Sequence, residues 1–402
     1  MQLCGRGGPQ VNAVRQRWCF ESLFAKKLER ISHFVKPPGF FACYASYRCL
    51  FAIFGSTSNT HRPRWRRIIK TSSSWCMRSL FVSCFGLDVY QNIVYLCQVF
   101  FKGTFLTIVE FLYYLTLNIL ELESAYIIIF HVPKFDGMFV RGDEKTRSFF
   151  SMRAFVVGIA LSIPLTVKAV YDFLMTVETL DSFTSIVYLS SIFVFFAQVP
   201  AFIFYLQCLE IIRSEQDTIR EAVQSESYLI SSNSIIKRKR RIRRMLEKVN
   251  GVFRRFVIVK FVSIFCGVTM QVGLSIGDSA EDDLVDTLSG IVLDAALKLV
   301  EVYVICHSGT FIERICHETE RCLHGKTLLM TTREAIILQT LRRELAFEAD
   351  RDSLEMSLKF RINTATLLSF FSTVITCCAV TLQFDSRVVQ AINKAGASAR
   401  KQ

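Results

Sequence analysis

Seven ionisable side chains sit where a purely structural helix would rarely put them. Asp88, Glu110, Lys168, Asp172, Asp294, Lys298 and Glu301 all fall inside long apolar blocks. A charge in such a block is costly and is retained where it meets a partner, a cavity or water. Asp294 and Lys298 are four residues apart, and Lys298 and Glu301 three apart, so one helix face can carry them as ion pairs. Grouped there, they could line a pocket for a polar ligand. Near helix ends, the same residues would only snorkel to the interface.

The last apolar block carries a different pattern. Thr376 and Gln383 are seven residues apart and share a helix face, with Thr373 and Val380 close to the same line. The remainder is bulky and apolar: Leu367, Leu368, Phe370, Phe371, Val374 and Ile375. A stripe of hydroxyls and one amide suits a side that meets water or another subunit, as a pore lining does. The alternative is a buried helix whose threonines bond their own backbone. A third cluster, Cys306, His307, Cys316, His317, Cys322 and His324, lacks both Cys-x-x-Cys and His-x3-His spacing. It reads as unrelated helix residues rather than a zinc site. With no nucleotide loop or nucleophile motif either, neither an enzyme nor a cofactor is expected.

The elements that must position these residues are apolar helices. The chain has 402 residues, 51% of them hydrophobic, with 36 Phe but only 7 Pro and 18 Gly. That composition favours long uninterrupted helices. A spanning helix needs about 20 mostly apolar residues. By that ruler the spans fall at 79–101, 104–130, 154–175, 182–209, 256–276, 284–306 and 364–384. A shorter block at 39–55 carries Arg48 and reads as interfacial or cytoplasmic. The 14 Cys show no disulfide framework, and several lie within spans as small hydrophobes. No cleavable signal peptide is expected.

Charge then orients the helices. Lys and Arg in short loops mark the cytoplasmic side. The segment before the first span holds Arg62, Arg64, Arg66, Arg67 and Lys70, and the loop after the second holds Lys134, Arg141, Lys145, Arg147 and Arg153. The run from Lys237 to Arg244 follows the fourth span, and Arg314, Arg321, Lys326, Arg333, Arg342 and Arg343 follow the sixth. The opposite loops are short; Glu178, Asp181, Asp278, Glu281, Asp282 and Asp283 lie there. The expectation is an all-α polytopic membrane protein with seven transmembrane helices, its N-terminus cytoplasmic and its C-terminus extracellular. The net charge of +13 is accounted for by this topology and requires no nucleic acid. Helical spacing at 211–224, 241–256 and 331–359 extends the fourth, fifth and last helices into the cytoplasm, with 225–234 as a flexible loop. The domain layout is a cytoplasmic segment at 1–74, a transmembrane domain at 75–384 and an extracellular tail at 385–402. The transmembrane domain includes a cytoplasmic helical anchor near 211–256 and 307–363.

The last helix also resembles a family. Thr376-Cys377, five mostly apolar residues, then Gln383-Phe384 is similar to the Thr-Tyr … Gln-Phe signature of the insect-type gustatory and odorant receptor superfamily, with Cys377 in place of the Tyr. The approach through Phe360-Arg361-Ile362-Asn363 and Leu367-Leu368-Ser369 is similar too. The resemblance implies a gustatory receptor in the plasma membrane acting as a tastant-gated, non-selective cation channel. It implies a homo- or hetero-tetramer surrounded by membrane lipid. Gln383 would face the pore, with Thr373, Thr376 and Phe384 beside it and Val380 as the gate. The small-molecule tastant would bind in the outer half of the bundle, near Lys168, Asp172, Tyr188, Gln271 and Asp286. Three other readings stay open: a seven-helix G-protein-coupled receptor, which needs its N-terminus outside; a membrane transporter, which would show paired broken helices; and a membrane scaffold without channel activity.

Overall fold

The computed structural model describes residues 64–100, 105–132, 152–176, 182–225, 228–277, 284–325, 332–357 and 360–384. The block at 39–55, the loop at 133–151 and the tail at 385–402 lie outside these residues. Helix α1 is Arg64–Phe100 and α2 is Phe105–Tyr126, which runs on through a π-turn at Ile127–His131. Helix α3 is Met152–Thr176, with Pro164 inside it. Helices α4 (Ser182–Phe195) and α5 (Gln198–Gln224) are nearly continuous, broken at Phe196 and Ala197 just ahead of Pro200. Proline lacks an N–H and displaces the carbonyl four residues earlier, which is Phe196 here. Helix α6 is Tyr228–Gly277 and α7 is Leu284–Gly325. Then come α8 (Thr332–Leu345), the single turn α9 (Ala349–Asp352), a hairpin of β1 (Glu355–Ser357) and β2 (Phe360–Arg361), and α10 (Thr364–Phe384).

The described helices coincide with the apolar blocks. Among the described residues, three stretches, Ile108–His131, Ser182–Gln224 and Asp294–His324, are long and apolar enough to cross a bilayer, and Thr364–Val380 is a shorter apolar helix. Helix α6 is the mast of the bundle and packs most extensively along α2. Its buried face is a strict heptad series: Ile235, Lys239, Ile242, Leu246, Val249, Phe253 and Phe256. Spacing of three and four keeps one stripe against the core for about six turns. Phe253 is packed by Phe204, Tyr205 and Phe256 at ring-centre distances of 5.7, 5.1 and 6.2 Å. Gly267 of α6 lies against the ring of Tyr113, where a Cβ would sit 2.8 Å from it.

Two sequence expectations need correction. Helix α6 already begins at Tyr228, so most of 225–234 is helix and not loop; Ile235 is buried two turns on and holds the helix start against the core. The helix expected across 331–359 stops at Leu345. Beyond it, Arg243 of α6 donates to the carbonyl of Ala346 and pairs with Asp352, while Asn250 donates to the carbonyl of Ser353 and accepts from the Glu355 N–H. These bonds satisfy backbone groups that a helix would have satisfied internally. The chain follows α6 as a turn and hairpin instead.

Candidate functional site

Among the described residues, three places in the bundle bear on function. The first is a cavity of about 50 Å³ between α2, α3, α5, α6 and α7. Its apolar wall includes Leu117, Leu120, Phe202 and Ile264; its polar wall comprises Tyr113, Ser162, Gln198, Ser263, Lys260, Lys298 and Glu301. Helix α7 supplies Lys298 and Glu301 three residues apart, as one face requires. Lys298 Nζ lies 2.8 Å from Asp294 Oδ2, four residues back on the same helix. Lys260 of α6 reaches across to Glu301, Nζ to Oε2 2.9 Å, with the two side chains only 6% and 7% exposed. Gln271 donates to Asp294. Lys260 also lies over the Phe202 ring at 4.9 Å, and Lys298 over the Tyr113 ring at 5.4 Å. The two ammonium groups are therefore matched by two carboxylates and two aromatic faces, which is what allows charge to persist in an apolar bundle.

The expected pairing is thus half right. Asp294 and Lys298 pair, whereas Glu301 turns to Lys260 on the neighbouring helix. Lys260 was legible as a lone lysine in the 256–276 block. Glu121, in the 104–130 block, is another residue that the sequence pattern passed over. It is buried, and Asp88, its neighbour across the α1–α2 seam, is also buried and accepts from Asn92, which in turn donates to Asn118. Glu110 accepts from the Tyr95 hydroxyl at 2.5 Å. Of the tastant-site residues, Gln271 joins the cavity cluster through Asp294. Tyr188 is half-buried on α4 and does not line the cavity. Lys168 and Asp172 belong to α3 and Asp286 to α7, with side chains outside the described residues.

The second place is α10. Leu367 and Val374 are buried, and Phe370 packs on Phe261 and Phe265 of α6 at 5.4 and 6.5 Å. The opposite face carries Leu368, Ser369, Ser372, Thr373, Ile375, Thr376 and Gln383, all exposed, with Ile375 68% so. Val380 is half-buried, and the Phe384 side chain lies outside the described residues. The hydroxyls of Thr373 and Thr376 donate to the carbonyls of Ser369 and Ser372 at 2.8 Å. Both sequence readings of the stripe therefore meet here: the threonines bond their own backbone, and they do so on the exposed side.

The third place is the end of the bundle formed by α5, the first half of α6, the second half of α7 and residues 332–361. Asp352 is fully buried, receives Lys239 Nζ at 3.0 Å and Arg243 Nε at 3.1 Å, and accepts from the Glu348 N–H. Arg240 clamps Glu344 with two bonds of 2.8 and 3.3 Å, and holds that carboxyl below the usual range. Arg238 and Arg241 both reach Glu215 of α5. The basic run read from sequence as a topology marker is therefore also a docking strip. Cys316 is buried, with its sulfur 3.8 Å from Lys239 Nζ and 3.2 Å from Gln216 Nε2. The Cys/His residues of α7 point to different sides: Cys306 and Cys316 are buried, His307 stacks on Tyr303, His317 packs on Phe347 and His324 meets Arg342.

This arrangement has solved counterparts. The chain shares its fold with an insect olfactory receptor. The structure of olfactory receptor OR5 from Machilis hrabei in complex with eugenol matches with a TM-score of 0.62 at 13% identity, covering 86% of this chain and 99% of that one. A second structure of the same receptor matches with a TM-score of 0.57 at 14% identity over the same shares. No family model matches the chain, and no curated protein does. The likeness agrees with the resemblance read from Thr376 to Phe384, and it covers nearly the whole length of the receptor rather than that motif alone.

Proposed function

We propose that the protein is a chemosensory receptor of the gustatory type, a tastant-gated non-selective cation channel of the plasma membrane. It crosses the membrane seven times with its N-terminus inside. The observation that carries this reading is the exposed polar stripe on α10, on a chain that shares the fold of an olfactory receptor over 86% of its length. Among the described residues, Thr373, Thr376 and Gln383 are exposed in the single chain; four copies around an axis turn that face into a pore with Val380 as its gate. The same assembly makes the end of the bundle around Asp352 the cytoplasmic anchor. Fold alone does not fix function, so the reading rests on the stripe and the cavity together.

The cavity between α2 and α7 is the proposed tastant site. The solved olfactory receptor was captured with eugenol. The cavity here is lined by two lysines, a glutamate, a glutamine and two serines, so its ligand is a small hydrogen-bonding molecule. At about 50 Å³ the cavity is far below the roughly 300–1,000 Å³ of ordinary ligand pockets, so binding widens it.

The test is current recording from cells expressing the chain, screened with small polar compounds, alongside Gln383→Ala. A ligand-evoked cation current whose permeability ratios change in Gln383→Ala is expected. An N-terminal tag that labels on intact cells, with no current, would sink the channel reading in favour of a G-protein-coupled receptor.

A further inference from the structure

A groove of about 510 Å³ opens on the surface where α6, α8 and α9 meet. It is lined by Arg240, Arg243, Arg244 and Glu247 from α6, Arg343 and Glu344 from α8, Glu348, and Arg351 from α9. Five guanidinium groups against three carboxylates leave an excess of two positive charges. The internal pairs account for part of the set: Arg240 with Glu344, and Arg243 and Arg351 with Glu348 at 3.3 Å each. Arg243 is held further by buried Asp352.

Two guanidinium groups are left over. Among the described residues, Arg244 makes only a bond from Nε to the Arg240 carbonyl, and Arg343, which adds to the pull on Glu344, is in salt-bridge contact with no carboxylate. Both are exposed, and they approach the groove from different helices. Planar forked donors converging from two sides match the tetrahedral oxygens of a phosphate group.

We propose that this groove binds a multiply phosphorylated anion. Two sources carry that chemistry, a free polyphosphate or a phosphoinositide headgroup. Arg244 precedes the apolar part of α6 at Phe256 by twelve residues, which is about 18 Å along a helix. The headgroup layer is only about 5–8 Å deep on each side, so a lipid held in the bilayer does not reach the groove. The ligand is therefore the free anion.

The experiment titrates the full-length chain, purified in neutral detergent, with inositol hexakisphosphate by calorimetry. Saturable binding is expected, weaker as salt rises, and weakened about tenfold or more in Arg244→Ser/Arg343→Ser. Both side chains are exposed, so that variant is expected to melt like the parent when no ligand is present. Should it fail to fold, the single Arg343→Glu carries the same test. Absence of saturable binding to the parent, or equal binding to the variant, overturns the proposal. So does capture by phosphatidylcholine vesicles containing phosphatidylinositol bisphosphate with no binding of the free anion, which would assign the groove to a lipid.

Discussion

Gly309 of α7 lies so close under the carbonyl of Ile362 that a Cβ there would clash with that oxygen. Next to it, Thr310 Oγ1 accepts from the Thr364 N–H at 2.8 Å, and Glu313 accepts from Asn363 Nδ2 at 3.4 Å. Asn363 itself caps α10, its Oδ1 accepting from the N–H groups of Ala365 and Thr366. The joint from which α10 departs is thus seated on one turn of α7, and backbone contact rather than side-chain contact sets the distance.

A methyl group at this joint should therefore be costly. Gly309→Ala must move the 362 backbone, because a carbonyl cannot rotate away as a side chain tip can. Overpacking of this kind costs about 1–3 kcal/mol, occasionally more. The control is Gly251→Ala on α6, where nothing lies within 4 Å and the helix should gain about 0.5–1 kcal/mol. Melting temperatures of the two purified variants should move in opposite directions. Equal shifts would mean that α10 is not seated on Gly309.

The buried ion cluster around Asp352 makes a second expectation. Asp352→Ala leaves Lys239 and Arg243 without their shared carboxylate and frees the Glu348 N–H. Removing one member of a buried pair costs about 3–5 kcal/mol. The variant should lose most of its detergent-stable population, and residues 346–361 should become sensitive to protease. Wild-type-like melting would show that the hairpin is held by Asn250 and Arg254 alone.

Much of this was legible in the sequence, for reasons that differ by residue. The helices were readable because an apolar run of about 20 residues has few other uses. The heptad face of α6 was readable in the same way, from Ile242 to Phe256. The hairpin at 355–361 was not, because Leu354 and Leu358 fit a helical pattern as well as a strand one. Its partners Arg243, Asn250 and Arg254 lie about a hundred residues earlier in the chain. The pairing of Lys260 with Glu301 was hidden for the same reason: spacing rules see one helix at a time. Gln383 was found by motif, and its exposure is a property of the bundle that no local pattern states.

The Arg240–Glu344 clamp sets a pH dependence. Arg240 holds the Glu344 carboxyl below its ordinary value near 4.5. A group with a depressed folded-state pKa adds stability above its unfolded pKa and loses it as pH falls through the folded one. The melting-temperature gap between the parent and Glu344→Gln should therefore be constant above about pH 5 and close below about pH 4.5. The gap should be small, since the pair is largely solvated, and should shrink further in high salt. A gap that widened on acidification would reverse the assignment.

The Lys260–Glu301 pair separates stability from response. Lys260→Met alone leaves Glu301 buried without its cation and is expected to cost about 3–5 kcal/mol, as is Glu301→Leu alone. The double variant removes both charges. Replacing a buried pair by apolar residues of similar volume is often neutral or stabilising, so Lys260→Met/Glu301→Leu should recover parental melting and surface abundance. If the cavity is where the tastant sits, the same double variant should still fail to open on ligand, because Lys260 and Glu301 form part of the polar wall. Recovered folding with a recovered response would place the ligand elsewhere. Folding that is not recovered would mean that the two groups act through Phe202 and Phe256, over whose rings Lys260 lies, and not through each other. Only recovery of the fold without recovery of the current ties this ion pair to recognition.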